Sequence, residues 1–115
     1  MPNEEKGERK YAFKCKKLLR GGSNTKTGKF TEWAMPTPWS APYDVDWDKN
    51  GELWTGSMTT DRIERLDPKT GQVVEYLMPT ETNVRRVFVD SSTTPATFWT
   101  GSNHGAAIVR VEPLD

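Results

Sequence analysis

Part of this sequence is written twice. Lys26, Thr27, Gly28, Glu32, Met35, Pro36 and Thr37 return as Lys69, Thr70, Gly71, Glu75, Met78, Pro79 and Thr80, with an aromatic pair, Trp33 and Tyr76, at the matching place. Trp54, Thr55, Gly56 and Ser57 return as Trp99, Thr100, Gly101 and Ser102, and Ile63, Arg65 and Pro68 return as Ile108, Arg110 and Pro113. The first block repeats at a spacing of 43 residues and the others at 45. A chain with such a period stacks one small supersecondary unit on the next, and periods of roughly 40–50 residues built from short strands and turn residues are the signature of β-propeller blades.

Local chemistry supports the strand reading. Asn50 and Gly51 tolerate the positive φ of a tight hairpin, and they sit between strand-like residues 43–47 and 53–57. Asp67, Pro68 and Gly71 make a second turn, Pro setting φ early and Gly closing it. The spacing predicts a four-strand meander with strand A at residues 43–48, B at 52–58, C at 62–67 and D at 72–78, ended by Pro79 because proline cannot donate to a ladder. The second copy reads A at 85–90, B at 97–102 and C at 107–112, with no strand D after it. A strand D without a full A, B and C before it lies at residues 29–35, placed to complete the second copy within one chain or between chains. No segment carries apolar residues at helical spacing over several turns.

The expected fold class is therefore all-β: two antiparallel propeller-type blades over residues 25–115, preceded by a basic charged segment at residues 1–24. Two blades cannot close a ring, which needs four to eight. If each open blade face left on the order of 400 Å² of apolar surface in water, the forgone stabilisation would be about 10 kcal/mol, comparable to the whole stability of a domain. Completion by oligomerisation or strand exchange follows as an expectation, the partner being a second copy meeting the chain through its blade faces.

Sixteen Lys and Arg balance sixteen Asp and Glu, so no global charge points to nucleic acid or to a membrane surface. The distribution is uneven: residues 1–20 hold seven Lys or Arg and three Glu. That leader reads as an exposed charged tail, although Tyr11, Phe13 and Cys15 alternate with Lys14 and Lys16 as an edge strand would. No apolar h-region and no stretch of membrane-spanning length is present, which makes a cytoplasmic protein the default expectation. The single cysteine, Cys15, excludes an intrachain disulfide and a thiolate metal cluster.

In its repeat residues the chain resembles the streptogramin lyases, also called virginiamycin B lyases. The resemblance rests on Ala41, Pro42, Tyr43, Asp44 and Val45, on Asp48, Asn50, Gly51, Leu53 and Trp54, on Arg65, Leu66, Asp67, Pro68, Thr70 and Gly71, and on Glu75 to Thr80 through Met78 and Pro79. It covers about residues 26–115, which look like the last two blades of a much longer propeller. For activity, the resemblance implies ring opening of type B streptogramins by elimination, with Mg²⁺ and a histidine base at the centre of the propeller. Where the lyase repeats usually carry Trp-Phe-Thr-Glu, this chain has Trp-Thr-Gly-Ser at 54–57 and 99–102, so the Glu that would hold Mg²⁺ is absent at both places.

Candidate site residues come from the expected rim. His104, the only histidine, lies with Asn103 in the turn between strands B and C of the second copy and is the candidate catalytic base. Tyr43 and Asp44 begin one strand A, and Arg85 and Arg86 begin the other; in a propeller these strands face the channel. Arg85, Arg86 and His104 suit a small anionic ligand, since guanidinium binds carboxylate or phosphate in bidentate fashion. Trp39, outside any predicted strand, is a further ligand-binding candidate. Asp44, Asp46 and Asp48 alternate along one strand without the Gly and distal Glu of a Ca²⁺ loop, so they read as a solvated acidic face and no metal site is expected. The expected function is a non-enzymatic binding or assembly module without a cofactor. The alternatives are a Mg²⁺-dependent carbon-oxygen lyase acting on a cyclic depsipeptide, and a truncated gene product without the parent activity.

Overall fold

Turn chemistry and alternation place the strands within one or two residues of where the sequence predicts them. A computed structural model describes residues 11–16, 19–24 and 26–114, with side chains from residue 26 onward. It contains β1 (Tyr11–Lys16), β2 (Leu19–Asn24), β3 (Phe30–Ala34), β4 (Pro42–Trp47), β5 (Leu53–Ser57), β6 (Arg62–Leu66), β7 (Val73–Leu77), β8 (Val84–Asp90), β9 (Thr97–Ser102) and β10 (Ala107–Val111). They form three antiparallel meanders: sheet 1, β1-β2-β3; sheet 2, β4-β5-β6-β7; and sheet 3, β8-β9-β10. There is no helix among the described residues, hence none long and apolar enough to cross a membrane.

Sheets 2 and 3 are the two expected blades, and together with sheet 1 they form an open partial propeller. The expected pairing of residues 29–35 with 107–112 within the chain is corrected: β3 pairs with β2, Trp33 opposite Arg20 and Thr31 opposite Gly22. The cause is proximity in sequence. A short turn around Gly28, whose φ is +74°, joins β2 to β3, and a local hairpin costs far less loop-closure entropy than joining opposite ends of the chain. The alternating segment at Tyr11–Lys16 is a strand, paired with β2. Residues 1–10 and the Cys15 side chain lie outside the described residues.

The turns are held as their residues dictate. Asp48 Oδ1 accepts from the backbone N–H groups of Asn50 and Glu52, Gly51 takes φ +82°, and Asp48 Oδ2 accepts from Trp54 Nε1 at 3.0 Å. Asp67 caps the next hairpin through Lys69 N, with Gly71 at φ +79°. Sheets stack in sequence: β1 approaches β4, and β4 and β5 approach β8. The core lies between sheets 2 and 3, where Trp54, Ile63 and Met78 meet Val84, Val89, Ala96 and Phe98. Trp54 stacks on Tyr76 of its own sheet at 5.8 Å and on Phe98 of the next at 5.5 Å.

The repeated Trp-Thr-Gly-Ser is explained residue by residue in this stack. Trp54 fills the inter-sheet core. Thr55 donates to the carbonyl of Asp44 and Thr100 to that of Arg86, each at the bulge of its inner strand. At Gly56 a Cβ would lie 2.7 Å from the Cβ of Val84, so only glycine lets sheet 3 come this close. Ser57 Oγ, fully buried, accepts from the backbone of Ala41, Thr59 and Thr60, while Ser102 Oγ accepts from Gly105 N.

Candidate functional site

The registers bring the predicted site residues to one end of the stack. Pro42 at the start of β4 faces Ser57 at the end of β5, and Val84 at the start of β8 faces Ser102 at the end of β9. Tyr43, Asp44, Arg85 and Arg86 therefore lie at the same end as the β9–β10 turn that carries Asn103 and His104. The loop before β4 holds Trp39 at φ +65°, its carbonyl accepting from Thr59 Oγ1 at 2.6 Å, so this residue too belongs to that end.

What each residue does there differs. Asp44 Oδ2 accepts from Val87 N at 3.2 Å, and Asp46 Oδ2 from Val89 N at 2.9 Å. Both carboxylates thus bind the edge of β8 that does not face β9, and hold sheet 3 against sheet 2. This corrects the solvated acidic face expected from alternation: Asp44 and Asp46 are half-buried ties between sheets and Asp48 is a buried turn cap. Alternation placed the three on one side of a strand, but whether another strand lies across that side is a long-range fact. Arg85 Nε donates to Asn83 Oδ1 at 2.7 Å, and Asn83 in turn donates to the Met58 carbonyl. Tyr43, Arg86, Asn103 and His104 are exposed.

Among the described residues no group of three or more His, Cys, Asp or Glu side chains is arranged to hold a metal ion. The carboxylates nearest the rim already accept backbone N–H groups, and the positions of the lyase-type Glu are occupied by Ser57 and Ser102. The residues present do not fit Mg²⁺. Sequence reasoning passes over a second polar group: Glu64, in the middle of β6 and one per cent exposed, where the other copy has Val109. No neighbouring residue signals it.

At the opposite end, Arg65 lies over the rings of Trp54 (5.4 Å) and Tyr76 (5.8 Å) and pairs with Glu52 at 3.3 Å, beside a polar cleft lined by Asp67, Gln72 and Val74. Burial pushes the Glu52 carboxyl above its usual range, against the opposing pull of Arg65.

No family model matches the chain, and no curated protein matches it. Solved structures do. A streptogramin B lyase structure superposes with a TM-score of 0.72 at 27% identity, covering 82% of this chain and 30% of that one. The chain resembles streptogramin B lyase blades. A catalytically inactive virginiamycin B lyase from Staphylococcus aureus, solved with quinupristin, superposes with a TM-score of 0.67 at 23% identity, covering 84% of this chain and 35% of that one. The chain thus spans about a third of these lyases' length, and its three sheets are lyase-type blades in an unclosed array.

Proposed function

We propose that this chain is a non-enzymatic binding or assembly module made of lyase-type blades, working in the cytoplasm, with a second copy as its partner. The observation that carries the reading is the last sheet's outer face. On sheet 2 the face turned toward sheet 3 buries Trp54. On sheet 3 the same face leaves Phe88 60% exposed and Ile108 79% exposed, with Trp99 between them. Contiguous apolar surface of this kind on a sheet face marks an interaction site. A small anionic ligand fits the rim, where Arg85, Arg86 and His104 supply donors beside Tyr43, Asp44, Asn103 and Trp39.

The lyase alternative requires a base and an ion close together, and carboxylates committed to backbone donors supply no ligand set beside His104. Light scattering tests the assembly: the chain is expected to exceed its monomer mass at high micromolar concentration, and Phe88→Ser with Ile108→Ser is expected to return it to monomer. A monomeric wild type at that concentration refutes self-association. Purified chain with Mg²⁺ is expected to leave a type B streptogramin intact; turnover abolished by His104→Ala would establish the lyase instead.

A further inference from the structure

In sheet 2, β6 has an outer neighbour, β7, and the pair has a fixed register: Ile63 faces Tyr76, Arg65 faces Val74 and Leu66 faces Val73. Tyr76 thereby covers Ile63 and stacks on Trp54, under the Arg65 guanidinium. Sheet 3 repeats all of this except the outer strand. Arg110 lies over Trp99 at 5.7 Å as Arg65 lies over Trp54, and Ile108 stands where Ile63 stands, but β10 is the outermost strand of its sheet. The ring that would complete the cluster has no counterpart within sheet 3, and Ile108 is exposed for that reason.

We propose that the outer edge of β10 is a strand-acceptor site, and that its occupant is β3 of a second copy. A sheet edge offers a row of backbone donors and acceptors to any extended segment, and side-chain pockets choose among segments. The sequence that fits these pockets is the outer-strand pattern of the repeat, which this chain carries twice. Of its two copies, β7 is half-buried along most of its length, whereas β3 is exposed at every residue but Trp33. The β6–β7 register transferred to β10 sets Trp33 opposite Ile108, Thr31 opposite Arg110 and Phe30 opposite Val111. Trp33 then covers Ile108 and stacks against Trp99 and Arg110, and Phe30 extends the apolar patch to which Val111 belongs.

This site deepens the assembly reading but concerns the edge of β10, not the face that bears Phe88, so the two fail separately. Amide hydrogen exchange of residues 107–111 in the full chain, at a dilution where light scattering gives the monomer mass, tests it with a synthetic peptide of residues 26–37 as probe. Saturating peptide is expected to slow exchange of β10 amides at least 10-fold. A Trp33→Ala peptide, or an Arg110→Ala chain, is expected to lose most of that protection. A Phe88→Ser chain is expected to keep it, whatever happens to face-to-face association. Unchanged β10 exchange at millimolar peptide overturns the proposal, and equal protection by the Trp33→Ala peptide overturns the assigned occupant register.

Discussion

Sheets 2 and 3 carry the same signature residues and place them in opposite circumstances. Trp54 is 1% exposed and Trp99 is 36% exposed, although each follows the same strand start and precedes the same Thr-Gly-Ser. Arg65 covers two rings and Arg110 covers one. The inner strand of sheet 2 sends two carboxylates to the backbone of sheet 3, whereas the inner strand of sheet 3 has Arg86 and Phe88 at the matching positions. A repeat motif therefore specifies geometry within a blade, and the next blade decides whether its residues are core or surface. The change from Asp to Arg and Phe means that whatever covers sheet 3 is held by chemistry unlike that joining sheets 2 and 3.

The sharpest way to break this comparison is to truncate both tryptophans. Trp54→Ala removes a ring stacked on Tyr76 and Phe98 and is expected to cost about 3–5 kcal/mol in urea unfolding. Trp99→Ala is expected to cost about 1 kcal/mol or less in the monomer, mainly the loss of the Arg110 contact. Similar losses at the two positions would mean that sheet 3 is covered in solution even in the monomer.

The glycines give the next contrast. Gly56→Ala sets a methyl group against Val84 and is expected to cost about 3 kcal/mol, near the upper end for overpacking. At Gly101 the nearest atom to an added Cβ is the Ala107 carbonyl oxygen at 3.9 Å, so Gly101→Ala is expected to stay within about 0.5 kcal/mol of wild type. Thermal unfolding of the two variants separates a blade face in contact from one in solvent.

A smaller effect tests the tie between the sheets. Asp46→Ala leaves the Val89 N–H without its acceptor and is expected to cost about 1–3 kcal/mol. Exchange at Val89 should quicken more than exchange at Val45, whose amide bonds to Asp44. Phe88→Ala, the same position in the other copy, is expected to change the stability of the monomer little. If Asp46→Ala is silent, packing of Phe98 on Trp54 rather than the carboxylates joins the sheets.

Most of the fold was legible because it is local. The hairpins at Asp48 and Asp67 follow from turn residues whose bonds stay within five positions, and strand bounds fall beside them. Sheet 1 was half legible: its outer strand matched the repeat, but Leu19–Asn24 contains Gly-Gly-Ser-Asn, which reads as a breaker rather than as a central strand. The rim was legible as a set of positions, since strand starts and B–C turns fix which end of a blade a residue occupies. The roles of Asp44 and Asp46 were not, because a carboxylate's acceptor role depends on a strand more than forty residues away.

The smallest expected effect lies at the other end of the stack and has a definite sign. Arg65 pairs across strands with Glu52, while Arg110 pairs with Glu112 of its own strand, and the position matching Glu52 is Thr97. Burial raises the Glu52 pKa above 4.5 in the folded chain. The native state then holds this proton more tightly than the unfolded state, so between 4.5 and the raised value stability falls as pH rises. Below 4.5 the contribution is fully present; above the folded pKa it is gone. Glu52→Gln removes that ionisation, and the difference in unfolding free energy between wild type and variant is therefore expected to move against the wild type as pH is raised from about 4 to 7. Thr97→Val, at the matching site of sheet 3, is expected to show no such trend. If wild type instead gains on Glu52→Gln with rising pH, the attraction of Arg65 outweighs burial, and the pair is a stabilising ion pair rather than a carboxylate held against its preference.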